Sequence, residues 1–156
     1  MDIIDHYEVN KGTMALIWIA HIDYSTLVLE ENQQYFVRQT PTQIIKQACL
    51  EGGSTYDGRR IAVSHRTRSK QKIPIPINPL DNIFAFPTHS PRAYDCNWIF
   101  YHHVKYIATF KPNKEQSGQT RLTFKNGKHI SLHESQYILE KQMQRTAMCI
   151  LQFFSN

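Results

Sequence analysis

Apolar and polar residues alternate along much of this chain, and the period of the alternation changes from place to place. Residues 7–10, 13–22, 26–30 and 34–38 are rich in β-branched and aromatic side chains and read as strands. At residue 40 the period becomes helical. Thr40 is a suitable N-cap, and Pro41 suits the first helical position, where no amide donor is needed. Ile44, Ile45, Ala48 and Cys49 then share one face, and Gly52-Gly53 supplies the stop. Ile73-Pro74-Ile75-Pro76-Ile77 fits neither a helix nor a central strand, because alternate residues lack an amide donor; an extended, edge-like or polyproline segment is expected. Residues 82–86 and 98–110 again read as strands, the second long enough to bend or split.

Asn126-Gly127 between two alternating runs predicts a type I′ hairpin, with Lys125 and Lys128 presented at its tip. Ser135 then caps a terminal helix uninterrupted by Pro or Gly. Leu139, Met143, Ala147, Ile150, Leu151 and Phe154 lie on one face of it, suited to packing on the sheet, with dimerisation as the alternative. The order of elements predicts an α+β fold. We expect a single domain with a mostly antiparallel sheet, one mid-chain helix and one C-terminal helix.

Length and composition agree with one folded domain: 156 residues, 41% hydrophobic and 12% aromatic. The longest apolar run, residues 14–20, ends at His21. That is far short of the roughly 20 residues a membrane-spanning helix needs. Asp2, Asp5 and Glu8 stand where a secretory signal would carry positive charge, so a cytoplasmic protein is expected. Cys49, Cys96 and Cys149 are widely spaced and odd in number, which suits buried reduced thiols better than a zinc or dithiol motif.

Charge changes the picture most. The net charge is +5, but up to Glu31 six acids face one base, a balance of −5, and the remainder carries +10. Arg59, Arg60, Arg66, Arg68, Lys70 and Lys72 follow one another with no intervening acid. Such a run favours a polyanion, and its richness in Arg favours phosphate forks and narrow grooves. The Pro-rich segment behind it suggests an exposed arm or loop.

Catalytic and metal chemistry find little support. His129 and His133 are spaced as helical ligands but sit in a strand pattern, where they would be about 13 Å apart. Adjacent His102 and His103 point to opposite faces of a strand. Gly52-Gly53-Ser54 follows a helix and lacks the Lys of a phosphate loop, and Asp57 and Asp81 have no third acid nearby to hold a nuclease magnesium. A non-enzyme without cofactor or metal is expected.

Several blocks, taken in order, carry a family likeness. They are Tyr7-Glu8-Val9-Asn10, the stretch Gly53-Ser54-Thr55-Tyr56-Asp57-Gly58-Arg59-Arg60, and Ile83-Phe84-Ala85-Phe86-Pro87-Thr88-His89-Ser90. Cys96-Asn97-Trp98-Ile99, His103-Val104-Lys105, Phe124-Lys125-Asn126-Gly127-Lys128 and Arg145-Thr146-Ala147 follow. Together they cover nearly the whole chain and resemble the ComK family of competence transcription factors. The resemblance implies an activator of DNA-uptake genes that binds paired AT-rich boxes in double-stranded DNA, largely through the minor groove. It implies a homodimer or tetramer, acting at the nucleoid, with RNA polymerase as a further partner. Between residues 66 and 72 the match is weaker, so Arg66, Arg68, Lys70 and Lys72 rest on their charge alone. Family members continue past the helix that ends here near Phe154, and those tails are associated with activation and with the MecA adaptor and a Clp protease. The chain as it stands matches the DNA-binding core. Two other classes fit the composition: a single-stranded nucleic-acid binder stacking bases on Tyr101 and Tyr106, and a protein-interaction module with a basic face.

Overall fold

The hydrogen-bonding side chains at element ends do much to fix this fold. In a computed structural model describing residues 2–111, 113 and 119–154, Thr40 caps the first helix, α1 (Pro41–Glu51). Its Oγ1 accepts from the Gln43 amide at 3.2 Å, and Gln43 Oε1 accepts from the Thr40 amide at 2.8 Å, a reciprocal capping box. Gly52 closes the helix, its amide donating to the Ala48 carbonyl, and Gly53 turns the chain away with φ of +94°. Four strands precede α1: β1 (Ile3–Ile4), β2 (Thr13–Trp18), β3 (Thr26–Glu30) and β4 (Gln34–Val37). After it come α2 (Tyr56–Thr67), β5 (Ile75–Asn78), β6 (Ile83–Pro87) and β7 (Trp98–Phe100). A 3-10 turn at Tyr101–His103 leads into β8 (Val104–Phe110), β9 (Gln119–Phe124), β10 (His129–Leu132) and α3 (Gln136–Phe154).

The strands make two sheets, one of seven in the order β1-β4-β3-β2-β7-β6-β5 and one of three in the order β10-β9-β8. Among the described residues only β1 and β4 run parallel; the other pairs are antiparallel, so the α+β expectation holds. Alternation gives the large sheet two apolar faces. On one, Leu16, Val28, Val37, Ile77 and Trp98 meet Ile44, Ile45 and Cys49 of α1. On the other, Ala15, Leu29, Phe86 and Ile99 meet Val104, Ile107, Leu122 and Phe124 of the small sheet and Leu139 of α3. Helix α2 lies along β5 and touches both α1 and α3, with Val63, Ile73, Phe84 and Cys149 as a smaller core. All three thiols are buried and unpaired; burial pushes Cys49 up to about 11 and Cys96 and Cys149 up to about 12.

Several expectations are met closely. The proline-alternating segment ends in β5 at the sheet's edge, and residues 98–110 split into β7 and β8 around the 3-10 turn. Ser135 Oγ accepts from the Ile138 amide at 3.2 Å, as an N-cap should.

Others need correction. The single mid-chain helix is a pair, because residues 56–67 form α2 and not part of an exposed arm. Thr55 caps that helix by accepting from the Gly58 amide at 2.9 Å, and Asp57 occupies its first turn. Only Val63 of α2 is fully buried, so little apolar periodicity betrays it. Residues 7–10 are not a strand; side chains take their backbone groups, the Tyr7 amide bonding Gln39 Oε1 and the Asn10 amide Thr13 Oγ1. Strand β2 stops at Trp18, and Ile22 lies exposed in the following turn. The hairpin turn is not type I′: the Gly127 amide bonds the Phe124 carbonyl at 2.9 Å, and Gly127 alone has positive φ, +92°. That is a three-residue loop closed by a glycine bulge. On α3 the buried line runs through Leu139, Gln142, Thr146 and Cys149, while Leu151 is 61% exposed. The Phe154 side chain lies outside the described residues.

Candidate nucleic-acid interface

Strand register sorts the basic residues into two places. At one end of the large sheet lie Thr13, Glu30, Ile83 and Phe100; at the other lie Trp18, Val37, Pro87 and Trp98. The hairpin tip belongs to the first end. Asn126 Nδ2 donates to the Glu31 carbonyl at 3.0 Å, and the Lys125 amide donates to the His103 carbonyl at 2.8 Å. Segments 70–73, entering β5, and 88–92, leaving β6, belong to the second. Strands of this length separate the two ends by roughly 15–20 Å.

At the second end the first two turns of α1 and α2 and those two segments line an open cavity of about 800 Å³. Lys46, Arg60, Lys70, Lys72 and Arg92 line it against one acid, Asp57. Thr42 and Tyr56 contribute from helix starts, where the backbone dipoles add positive potential. Lys46 Nζ sits 5.7 Å from the centre of the Tyr56 ring, and the same ring packs edge-on against Trp98. Arg60 Nε is 3.7 Å from Asp57 Oδ1, an exposed pair that leaves the guanidinium at the surface. Cations gathered on one concave wall reinforce one another's field more than scattered surface charges do.

Both rims are secured from behind. The Lys72 and Pro87 carbonyls accept from the amide of buried Gln142 on α3. On the β6 side, His89 Nε2 lies 3.0 Å from Asp95 Oδ1, and its Nδ1 lies 3.6 Å from Glu134 Oε2. The hydrogen bond from His89 holds the Asp95 carboxyl below the usual carboxylate range. Cys96 Sγ donates to the His89 carbonyl, and the Thr88 amide to Asn97, so the segment carrying Arg92 is pinned at its root.

The eight basic residues picked out by sequence therefore separate. Arg60, Lys70 and Lys72 meet in the cavity wall. Arg59 turns inward, donating from Nη2 to the Gly52 carbonyl at 3.0 Å and closing the α1–α2 corner. Arg66 donates from Nη1 to the Gln152 carbonyl at 2.9 Å and lies over the Phe153 ring, joining α2 to α3. Arg68 is the exposed, left-handed C-cap of α2. Lys125 and Lys128 project at the far end of the sheet. Lys46 and Arg92 are not marked in the sequence because each stands alone in its stretch of chain. The hairpin end has its own imidazole, His102, whose buried Nε2 has no hydrogen-bond partner among the described residues; burial, then Lys125 and His103, lowers its pKa.

Residues 4–155 match the family model described as ComK protein. The competence transcription factor of Bacillus subtilis (strain 168) is 35% identical over 146 residues, covering 92% of this chain and 73% of that protein. The chain belongs to the ComK family. No solved structure matches it. No helix among the described residues is long and apolar enough to cross a membrane.

Proposed function

We propose that this chain is a single-domain, DNA-binding transcriptional activator of competence genes, acting without catalysis on double-stranded DNA. The observation that carries this reading is the cavity wall, where Lys46, Arg60, Lys70, Lys72 and Arg92 converge from separate stretches on firmly anchored segments. Anchored cations contact phosphates without a large ordering cost on binding. The A·T minor groove is narrow and strongly negative and offers few distinguishing hydrogen-bond groups. A basic cavity with Arg at its rim suits that target, and pairing of protomers on spaced AT-rich boxes supplies specificity that base readout lacks. Lys125 and Lys128, and Arg66 and Arg68 on the outer side of α2, add secondary phosphate contacts.

Footprinting the purified protein on AT-rich promoter DNA tests this reading. Protected paired boxes are expected, together with displacement by netropsin, which occupies the minor groove. Binding that survives saturating netropsin would sink the minor-groove assignment. Failure to retain duplex at physiological salt, with a protein partner recovered instead, would favour an interaction module. One observation supports a second reading: Tyr106 and Phe110 of β8 are 53% and 40% exposed and can stack unpaired bases. Tyr101 is packed with the Val63 and Ile73 core and does not join them. Tighter binding to single strands than to duplex would favour that alternative.

A further inference from the structure

We propose that Gln142, midway along α3, is a positioning residue that sets the spacing of the two cationic rims; this rests on reading the cavity as the DNA interface. Gln142 is fully buried, and its Nε2 donates to the Lys72 carbonyl at 2.9 Å and to the Pro87 carbonyl at 2.8 Å. Both amide protons are thereby used. Its Oε1 accepts from Arg145 Nη1 at 3.0 Å, so only one orientation of the amide satisfies all three neighbours. Thr146 Oγ1 in turn donates to the Gln142 carbonyl at 2.7 Å, within the same buried turn of helix.

The two carbonyls belong to different rims. Lys72 has φ of +49°, a left-handed conformation that a side chain larger than glycine's adopts at a cost. The Gln142 hydrogen bond offsets that cost and holds the bend that places Lys70 and Lys72 on the cavity wall. Pro87 ends β6 and leads into the segment bearing His89 and Arg92. One side chain therefore ties both rims to a single point on α3. A buried amide is costly unless fully bonded, and an apolar residue would serve the surrounding core as well. What the amide adds, and an apolar residue would not, is a fixed distance between two charged edges.

The test compares Gln142→Met, similar in length but without donors, and Gln142→Glu with Leu139→Val, which trims the same helix without touching either rim. Duplex affinity against salt is read for each, beside trypsin cleavage after Lys70 and Lys72 and circular dichroism to confirm folding. Both Gln142 variants are expected to bind about tenfold more weakly and to be cut several-fold faster after Lys70 and Lys72. Their salt slope should flatten by about one unit for each phosphate left without its cation. Wild-type affinity and slope in the folded Gln142 variants would overturn the proposal. Equal flattening in Leu139→Val would also overturn it, since the weakening would then follow helix stability alone. A variant with Arg60, Lys70, Lys72 and Arg92 all changed to Ala separates the two ideas. If it binds as wild type, the cavity reading fails and the positioning role with it. If it weakens while the Gln142 variants do not, only the positioning role falls.

Discussion

The basic cavity at one end of the large sheet draws its cations from four separate stretches of chain, around Lys46, Arg60, Lys70 with Lys72, and Arg92. The hairpin tip at the other end takes Lys125 and Lys128 from a single turn. Both present Lys to solvent, yet they depend on different physics. The tip is shaped by a Gly at the bulge and two alternating strands, and two bonds, from Asn126 to the Glu31 carbonyl and from the Lys125 amide to the His103 carbonyl, dock it on the sheet. The cavity needs a capped helix on either side, a strained Lys72, a buried Gln142 and a His89–Asp95 pair. The tip offers two cations from neighbouring positions, whereas the cavity gathers five through tertiary packing that includes a strained backbone and a buried amide.

Reversing charge at each place exposes that difference. Lys70→Glu combined with Lys72→Glu is expected to lower duplex affinity on the order of 100-fold at moderate salt, whereas Lys125→Glu with Lys128→Glu lowers it about tenfold. Fluorescence anisotropy on one AT-rich duplex reads both, and a larger drop at the tip would invert the comparison.

A finer contrast lies between two neighbours. Arg59→Met removes the bond to the Gly52 carbonyl and should cost about 1 kcal/mol of stability, read by urea unfolding, while leaving the salt slope unchanged. Arg60→Met should flatten the slope by about one unit and shift stability by less than about 0.5 kcal/mol. If Arg59→Met flattened the slope as much as Arg60→Met, Arg59 would belong with the DNA-binding cations after all.

The smallest expected effect is a pH dependence at the hairpin end. Burial lowers the His102 pKa in the folded protein, so below the ordinary His value of about 6.5 the unfolded chain binds the proton more readily. The contribution of His102 is complete above that value and is lost as pH falls toward the lowered one. Urea midpoints from pH 8 to 5 should therefore decline less steeply for His102→Asn than for the wild type. Identical slopes would show that His102 does not contribute.

What the sequence disclosed follows the same division. Thr40, Pro41 and Gly52 mark α1 because caps act within one turn, and Asn126-Gly127 marks the hairpin although not its turn type. A single positive φ at Gly127 serves as well as the two that type I′ requires. Helix α2 was hidden because its stability comes from Val63 packing at a seam between three elements and from the Thr55 cap, with no apolar stripe to announce it. The basic run suggested one patch, but helical geometry sends successive residues in different directions, so Arg59 and Arg60 part company. Gln142 was illegible altogether, since the pattern on α3 favoured apolar residues beside it and its partners lie 55 and 70 positions away. Lys46 and Arg92 join the site through tertiary packing alone.

The central claim is that the cavity at the β5–β6 end of the sheet binds DNA phosphates. Its most direct test is the slope of log K against log salt for wild type and for the variant with Arg60, Lys70, Lys72 and Arg92 changed to Ala. A slope flattened by about three to four units, near 0.9 for each cation removed, is the predicted result. An unchanged slope in a variant that folds normally would contradict it.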